Sequence, residues 1–171
     1  MLYASVFITN EVHNQLAAQK ITMPTDKTGL ADLPAEDKAA LEPYAGQQMT
    51  TGKQAQAYAD HFIAVHLREI GGGRTYAQLA TASLAQPKNA ALAAQVQTMF
   101  RGETLRGLLL NAYAFWEMGQ IMLIGAIVAF AAAAAMLILS LFGIAHRRHV
   151  PAEAEIFGGR SATAATTAPA L

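Results

Sequence analysis

A chain of 171 residues leaves room for one modest soluble domain beside any membrane or tail segment. Its twelve basic and twelve acidic residues balance, so there is no surplus positive field to hold phosphates, and nucleic acid is excluded as an expected partner. The absence of cysteine excludes a disulfide framework, thiolate zinc sites, cysteine-ligated iron–sulfur clusters and a cysteine nucleophile.

Residues 1–9 are mostly apolar and run into a polar helical stretch, 10–20, with Val12 and Leu16 on one face. Nine residues are too few to cross a bilayer as a helix, and they lack the basic leader and small-residue cleavage site of a secretory signal. Residues 21–33, with Pro24, Gly29 and several Thr and Asp, predict extended or looped chain. Pro34 then suits the first position of a short helix over 33–41, Glu36 and Asp37 suit its positive end, and Pro43 and Gly46 stop it.

The strongest soluble helix is expected over 51–70, with Ala55, Tyr58, Phe62 and Val65 recurring every three or four residues. Gly71, Gly72 and Gly73 end it. A short helix over 75–82 comes next, Pro87 interrupts, and helical spacing resumes at 89–99 and continues toward 105–110 and the apolar run, so the last helix is expected to be continuous.

Residues 118–145 form 28 consecutive positions without a charge. A hydrocarbon core about 30 Å thick needs roughly 20 helical residues, so this segment is long enough to span, with the crossing centred on 119–144. Eleven Leu, Ile, Val or Phe lie within 121–142, a sum on the order of −5 kcal/mol for insertion. Tyr113, Phe115 and Trp116 precede the run, where aromatic rings favour the headgroup region, and His146, Arg147, Arg148 and His149 close it. Gly125, Ala129 and Ala133 make a small-residue face for a partner helix. The tail, 146–171, is poor in large apolar side chains after Pro151 and is expected to be disordered.

Chemistry is sparse. The clustered metal-type side chains are Asp60, His61, His66 and Glu69, but His61 and His66 are five residues apart, about 140° around a regular helix, and do not grip one ion as an i, i+4 pair would. His66 and Glu69 share a face, and His13 is too distant in sequence to place. No catalytic, cofactor-binding or metal-ligating residue is assigned, and no cofactor is expected. The Gly71-Gly72-Gly73-Arg74-Thr75 stretch comes after a helix and lacks the phosphate-loop spacing, so it reads as a helix end and turn. Ser140 and Gln120 are the polar groups available to a transport role within the run.

At Gly72-Gly73-Arg74-Thr75-Tyr76-Ala77-Gln78-Leu79, preceded by His66, the chain resembles a family of small bacterial two-helix membrane proteins with a Gly-Gly-Lys/Arg-Thr-Tyr-Ala-Glu/Gln-Leu motif. Ile21-Thr22-Met23-Pro24 and the apolar closing span support the similarity, which extends loosely over residues 12–143. The family's function is unassigned, and some members carry the label aromatic ring-opening dioxygenase LigA. A non-haem iron dioxygenase needs two His and one carboxylate, and no such set is evident.

The resemblance implies a first span, of which residues 1–9 would be the apolar remnant behind a late start. It also implies an extracytoplasmic soluble region, 10–117, and a cytoplasmic tail. Arg147, Arg148 and Arg160 after the span, against Arg101 and Arg106 before it, lean the same way. The expectation is therefore an all-α membrane protein: one full transmembrane helix, a small helical soluble region and a disordered tail. Its expected role is that of a non-enzymatic accessory or interaction protein, the rival being a metal-dependent enzyme using His61, His66 and Glu69.

Overall fold

The structure, a computed structural model, describes residues 1–149. Over them the chain is helical: α1 (Leu2–Ala18), α2 (Ala35–Leu41), α3 (Gly52–Ala57), α4 (Ala64–Gly71), α5 (Tyr76–Ala85) and α6 (Ala90–His149), with short 3-10 turns at Asp26–Thr28 and Glu42–Tyr44. Between α3 and α4 a π-helical turn, Tyr58–Ile63, joins the two into one rod. Two compact units divide the chain, Met1–Ile127 and Val128–Leu171.

Local chemistry sets the helix ends. Thr51 caps α3 by accepting the Gln54 N–H, while the Gln54 side chain accepts the N–H groups of Thr51 and Thr50 at 3.0 and 2.8 Å. Thr75 and Gln78 repeat that reciprocal arrangement at the start of α5. Each box satisfies amide donors that a helix start leaves without partners. At the other end of the rod, Gly72 takes the left-handed conformation, φ 58° and ψ 41°, in which the N–H of Gly73 returns to the Arg68 carbonyl. Glycine carries no Cβ penalty there.

The expected loop over 21–33 is more ordered than its composition suggests. Residues 21–23 lie antiparallel to residues 47–49, bridged at Thr22 and Gln48, with the Met23 N–H donating to the Gln47 carbonyl and the Met49 N–H to the Ile21 carbonyl, both at 2.8 Å. The pairing buries Met23 and Met49 completely. They join Leu16, Leu41, Leu79, Met99 and Leu109 as the largest fully buried side chains, so every helix of the Met1–Ile127 unit supplies the core. At about 1.5–3 kcal/mol for each large apolar side chain buried, this core orders a region of modest size.

α1 is one helix, joining the apolar residues 1–9 to the polar stretch after them. Its second half anchors the core through Val12 and Leu16. Its first half lies on α6 by another device: Ser5 is buried and its hydroxyl donates to the Gly119 carbonyl at 2.7 Å. A Cβ on Gly119 would sit 2.8 Å from Thr9 Cγ2, so only glycine permits this approach. Tyr3 and Phe7 stack on each other on the outer side of α1 and stay exposed.

α6 is continuous for 60 residues and contains a stretch long and apolar enough to cross a membrane. From Ile121 onward nearly every large apolar side chain is exposed: Phe130 at 67%, Met136 at 70%, Phe142 at 70%. Helix persists through His149, four residues into the segment expected to be tail; the rest of that segment lies outside the described residues.

Candidate functional site

The polar side chains that the sequence singled out converge on the rod from Gly52 to Gly71, and the π-helical turn in its middle distributes them. A π turn inserts an extra residue per turn and shifts the facing of the residues beyond it. Within that turn the consecutive residues Asp60 and His61, which on any helix point well apart around the axis, reach different elements. Asp60 accepts from Arg106 Nη2 of α6 at 2.9 Å, and His61 Nδ1 pairs with Asp37 of α2 at 2.8 Å. Asp37 is only 7% exposed. Its place in the first turn of α2 gives the carboxylate a second favourable field, the positive end of that helix.

Arg106 is held on two sides. Nη2 donates to Asp60, Nη1 lies 3.7 Å from Glu103 one turn earlier on α6, and Nε is buried without a hydrogen-bond partner among the described residues.

His66 is placed differently. Its Nδ1–H donates to the Phe62 carbonyl at 2.7 Å and its ring rests against Phe62, with centroids 4.4 Å apart. Phe62 in turn stacks on Tyr58 at 4.9 Å, so Tyr58, Phe62 and His66 form a ladder of rings along the rod. Burial pushes the Tyr58 phenol above its usual range, since the phenolate would be poorly solvated there.

Glu69 is exposed on α4, and His13 is exposed on α1. The residues of the metal reading thus have separate engagements: His61 with Asp37, His66 with a backbone carbonyl, Glu69 with solvent. Among the described residues no group of three or more His, Asp or Glu is arranged to hold a metal ion. A carboxylate-oriented imidazole such as Asp37–His61 is half of a nucleophile-activating arrangement. Among the described residues no serine or threonine hydroxyl is hydrogen-bonded to His61, and the pair ties α2 to the rod.

Two features of the α6 surface bear on packing. Trp116 packs on the core of the Met1–Ile127 unit, so close to Gly52 that a Cβ built there would clash with Trp116 Cβ. The small-residue contact that does form uses Gly119, with Ala126 also buried one heptad later. Gly125, Ala129 and Ala133 are exposed, and nothing lies within 4 Å of a Cβ placed on Gly125. The signal for the occupied face was in the sequence, since Ala112, Gly119 and Ala126 recur every seven residues, the spacing of a helix–helix seam.

Comparison of the chain with protein-family models, with curated proteins and with solved structures returns no match.

Proposed function

We propose that this is an integral membrane protein, anchored through the apolar stretch of α6, whose small helical unit is a non-enzymatic accessory or interaction module at the bilayer surface. The observation that carries the reading is the unburied apolar surface of α6 beyond Gly119, of which Phe130, Met136 and Phe142 are the most exposed aromatic and thioether groups. In water each such side chain forgoes about 1.5–3 kcal/mol of burial, whereas a bilayer supplies the missing contact along the whole stretch.

The first two turns of α1 extend the same apolar surface. Leu2, Tyr3, Val6 and Phe7 are exposed beside the Gly119 contact, and in a bilayer they face lipid. The exposed Gly125, Ala129 and Ala133 face is the place for a helix from a partner. Arg147 and Arg148 after the apolar stretch favour a cytoplasmic end there and an extracytoplasmic helical unit, in line with the family that the Gly72–Leu79 motif resembles.

Alkaline carbonate extraction of membranes from cells producing the full chain tests anchoring. The protein is expected in the pellet and in the detergent-soluble fraction; release into the carbonate supernatant overturns the reading. The absence of cysteine makes the orientation directly readable, because a Lys53→Cys variant carries one thiol. Labelling by a membrane-impermeant maleimide on intact spheroplasts places the helical unit outside, and labelling only after lysis places it inside.

A further inference from the structure

The turn between α4 and α5, Gly72-Gly73-Arg74-Thr75, has no part in membrane anchoring, and a cavity of about 230 Å³ lies beside it. The turn's own amides are engaged: the N–H of Gly73 donates to the Arg68 carbonyl and that of Arg74 to the Gly71 carbonyl. Its charged lining residues are Arg68, Arg74, Arg106 and Glu103, with Thr75 at its wall and Met99 among its apolar lining.

Charge on this wall is uneven. Asp60 and Glu103 both pair with Arg106, and Arg68 and Arg74 have no carboxylate partner among the described residues. Three cations against two carboxylates leave one net positive charge, and the two unpaired guanidinium groups belong to the cavity. The Thr75 hydroxyl accepts the Gln78 N–H, which leaves its proton free to donate outward, and the positive end of α5 begins at the next residue. Paired guanidinium forks match the tetrahedral oxygens of phosphate better than they match any neutral group.

We propose that this cavity binds a phosphate-bearing small molecule from the aqueous phase, with Arg68 and Arg74 gripping the phosphate and Arg106 supplying positive potential behind it. Sites for drug-sized ligands run to about 300–1,000 Å³, so this one takes a phosphate with a small body attached. An aqueous ligand is favoured over a lipid headgroup because Arg106 precedes Met118, where the charge-free apolar run begins, by 12 residues (118 − 106), about 18 Å along the helix at 1.5 Å per residue. The site belongs to the Met1–Ile127 unit and does not depend on membrane insertion, so either reading survives failure of the other.

The test is calorimetric titration of the detergent-solubilised full chain with inorganic phosphate and, separately, inorganic pyrophosphate, at low ionic strength where screening is weak. Saturable binding of at least one anion is expected, weakened at least tenfold in Arg74→Ala and abolished in Arg68→Ala/Arg74→Ala. Lys53→Ala, a cation remote from the cavity, should bind as the parent does. Both arginines are exposed, so the variants are expected to keep the parent's circular dichroism and melting temperature.

Absence of saturable heat from both anions overturns the proposal, as does undiminished affinity in the double variant. A second arm uses nanodiscs of phosphatidylglycerol against nanodiscs of phosphatidylcholine. Equal pyrophosphate affinity in the two supports an aqueous ligand, whereas loss of binding only in phosphatidylglycerol assigns the cavity to lipid headgroups and overturns it.

Discussion

The hydroxyl of Ser5 donates to the carbonyl of Gly119 at 2.7 Å, joining residues 114 apart in the sequence inside an otherwise apolar contact. Helix pairs in apolar surroundings rely on close approach and such polar links, because lipid offers apolar side chains the same contact that a neighbouring helix does.

Two substitutions dissect that contact. Ser5→Ala is expected to lower stability in detergent by about 0.6–1.5 kcal/mol, the range for one interhelical or buried hydrogen bond. Gly119→Leu is expected to cost more, about 1–3 kcal/mol, since even its Cβ would meet Thr9 Cγ2 at 2.8 Å and Thr9 is fixed by its own bond to the Ser5 carbonyl. Thermal melting monitored by circular dichroism gives the ranking, and equal melting temperatures for parent and Gly119→Leu would refute the contact.

Gly52→Ala and Gly102→Ala both crowd a neighbour, but not equally. At Gly52 the new methyl would lie 2.3 Å from Trp116 Cβ, an atom bound directly to the backbone, whereas at Gly102 it would meet the distal Leu67 Cδ2 at 2.4 Å. Leu67 has rotamers with which to yield and Trp116 Cβ has none. Gly52→Ala is expected to cost about 1–3 kcal/mol or more, and Gly102→Ala less. Trp116 is the only tryptophan, so its fluorescence should shift to longer wavelength in Gly52→Ala and stay unchanged in Gly102→Ala.

Asp37→Ala removes a buried acceptor and leaves His61 Nδ1 without its partner, with an expected loss of about 1–3 kcal/mol. Asp37→Asn keeps an oxygen in place and should lose less. If Asp37→Ala melts with the parent, the Asp37–His61 tie contributes nothing to joining α2 to the rod.

Leu41 is fully buried and Leu84 is 84% exposed, although both are leucines near helix ends. Leu41→Ala is expected to cost about 2–5 kcal/mol and Leu84→Ala no more than about 0.5 kcal/mol in either direction. Equal effects on the melting temperature would contradict the placement of Leu41 in the core and Leu84 on the surface.

The long rod was legible because its signals are local. Periodic Ala55, Tyr58, Phe62 and Val65 and the glycines at 71–73 place it within a residue of the observed ends, and the Thr51-x-x-Gln54 and Thr75-x-x-Gln78 boxes could have sharpened both starts. The pairing of residues 21–23 with 47–49 was not legible, since it depends on two segments separated by a helix finding each other. The site residues divided the same way: His61, His66 and Glu69 were visible as a group along one helix, while the Asp37 partner of His61 depends on α2 docking there.

By itself, the amino-acid order determined which segment is long and apolar enough to span a membrane and where helices start and stop, because hydropathy, capping and glycine act over a few neighbouring residues. Tertiary structure alone decided that α1 is the helix that meets the Gly119 face, that Trp116 turns to Gly52, and that Arg68, Arg74 and Arg106 share one cavity. Those relations join residues far apart along the chain, and which of several similar small or charged side chains meet is set by the geometry with which whole helices pack.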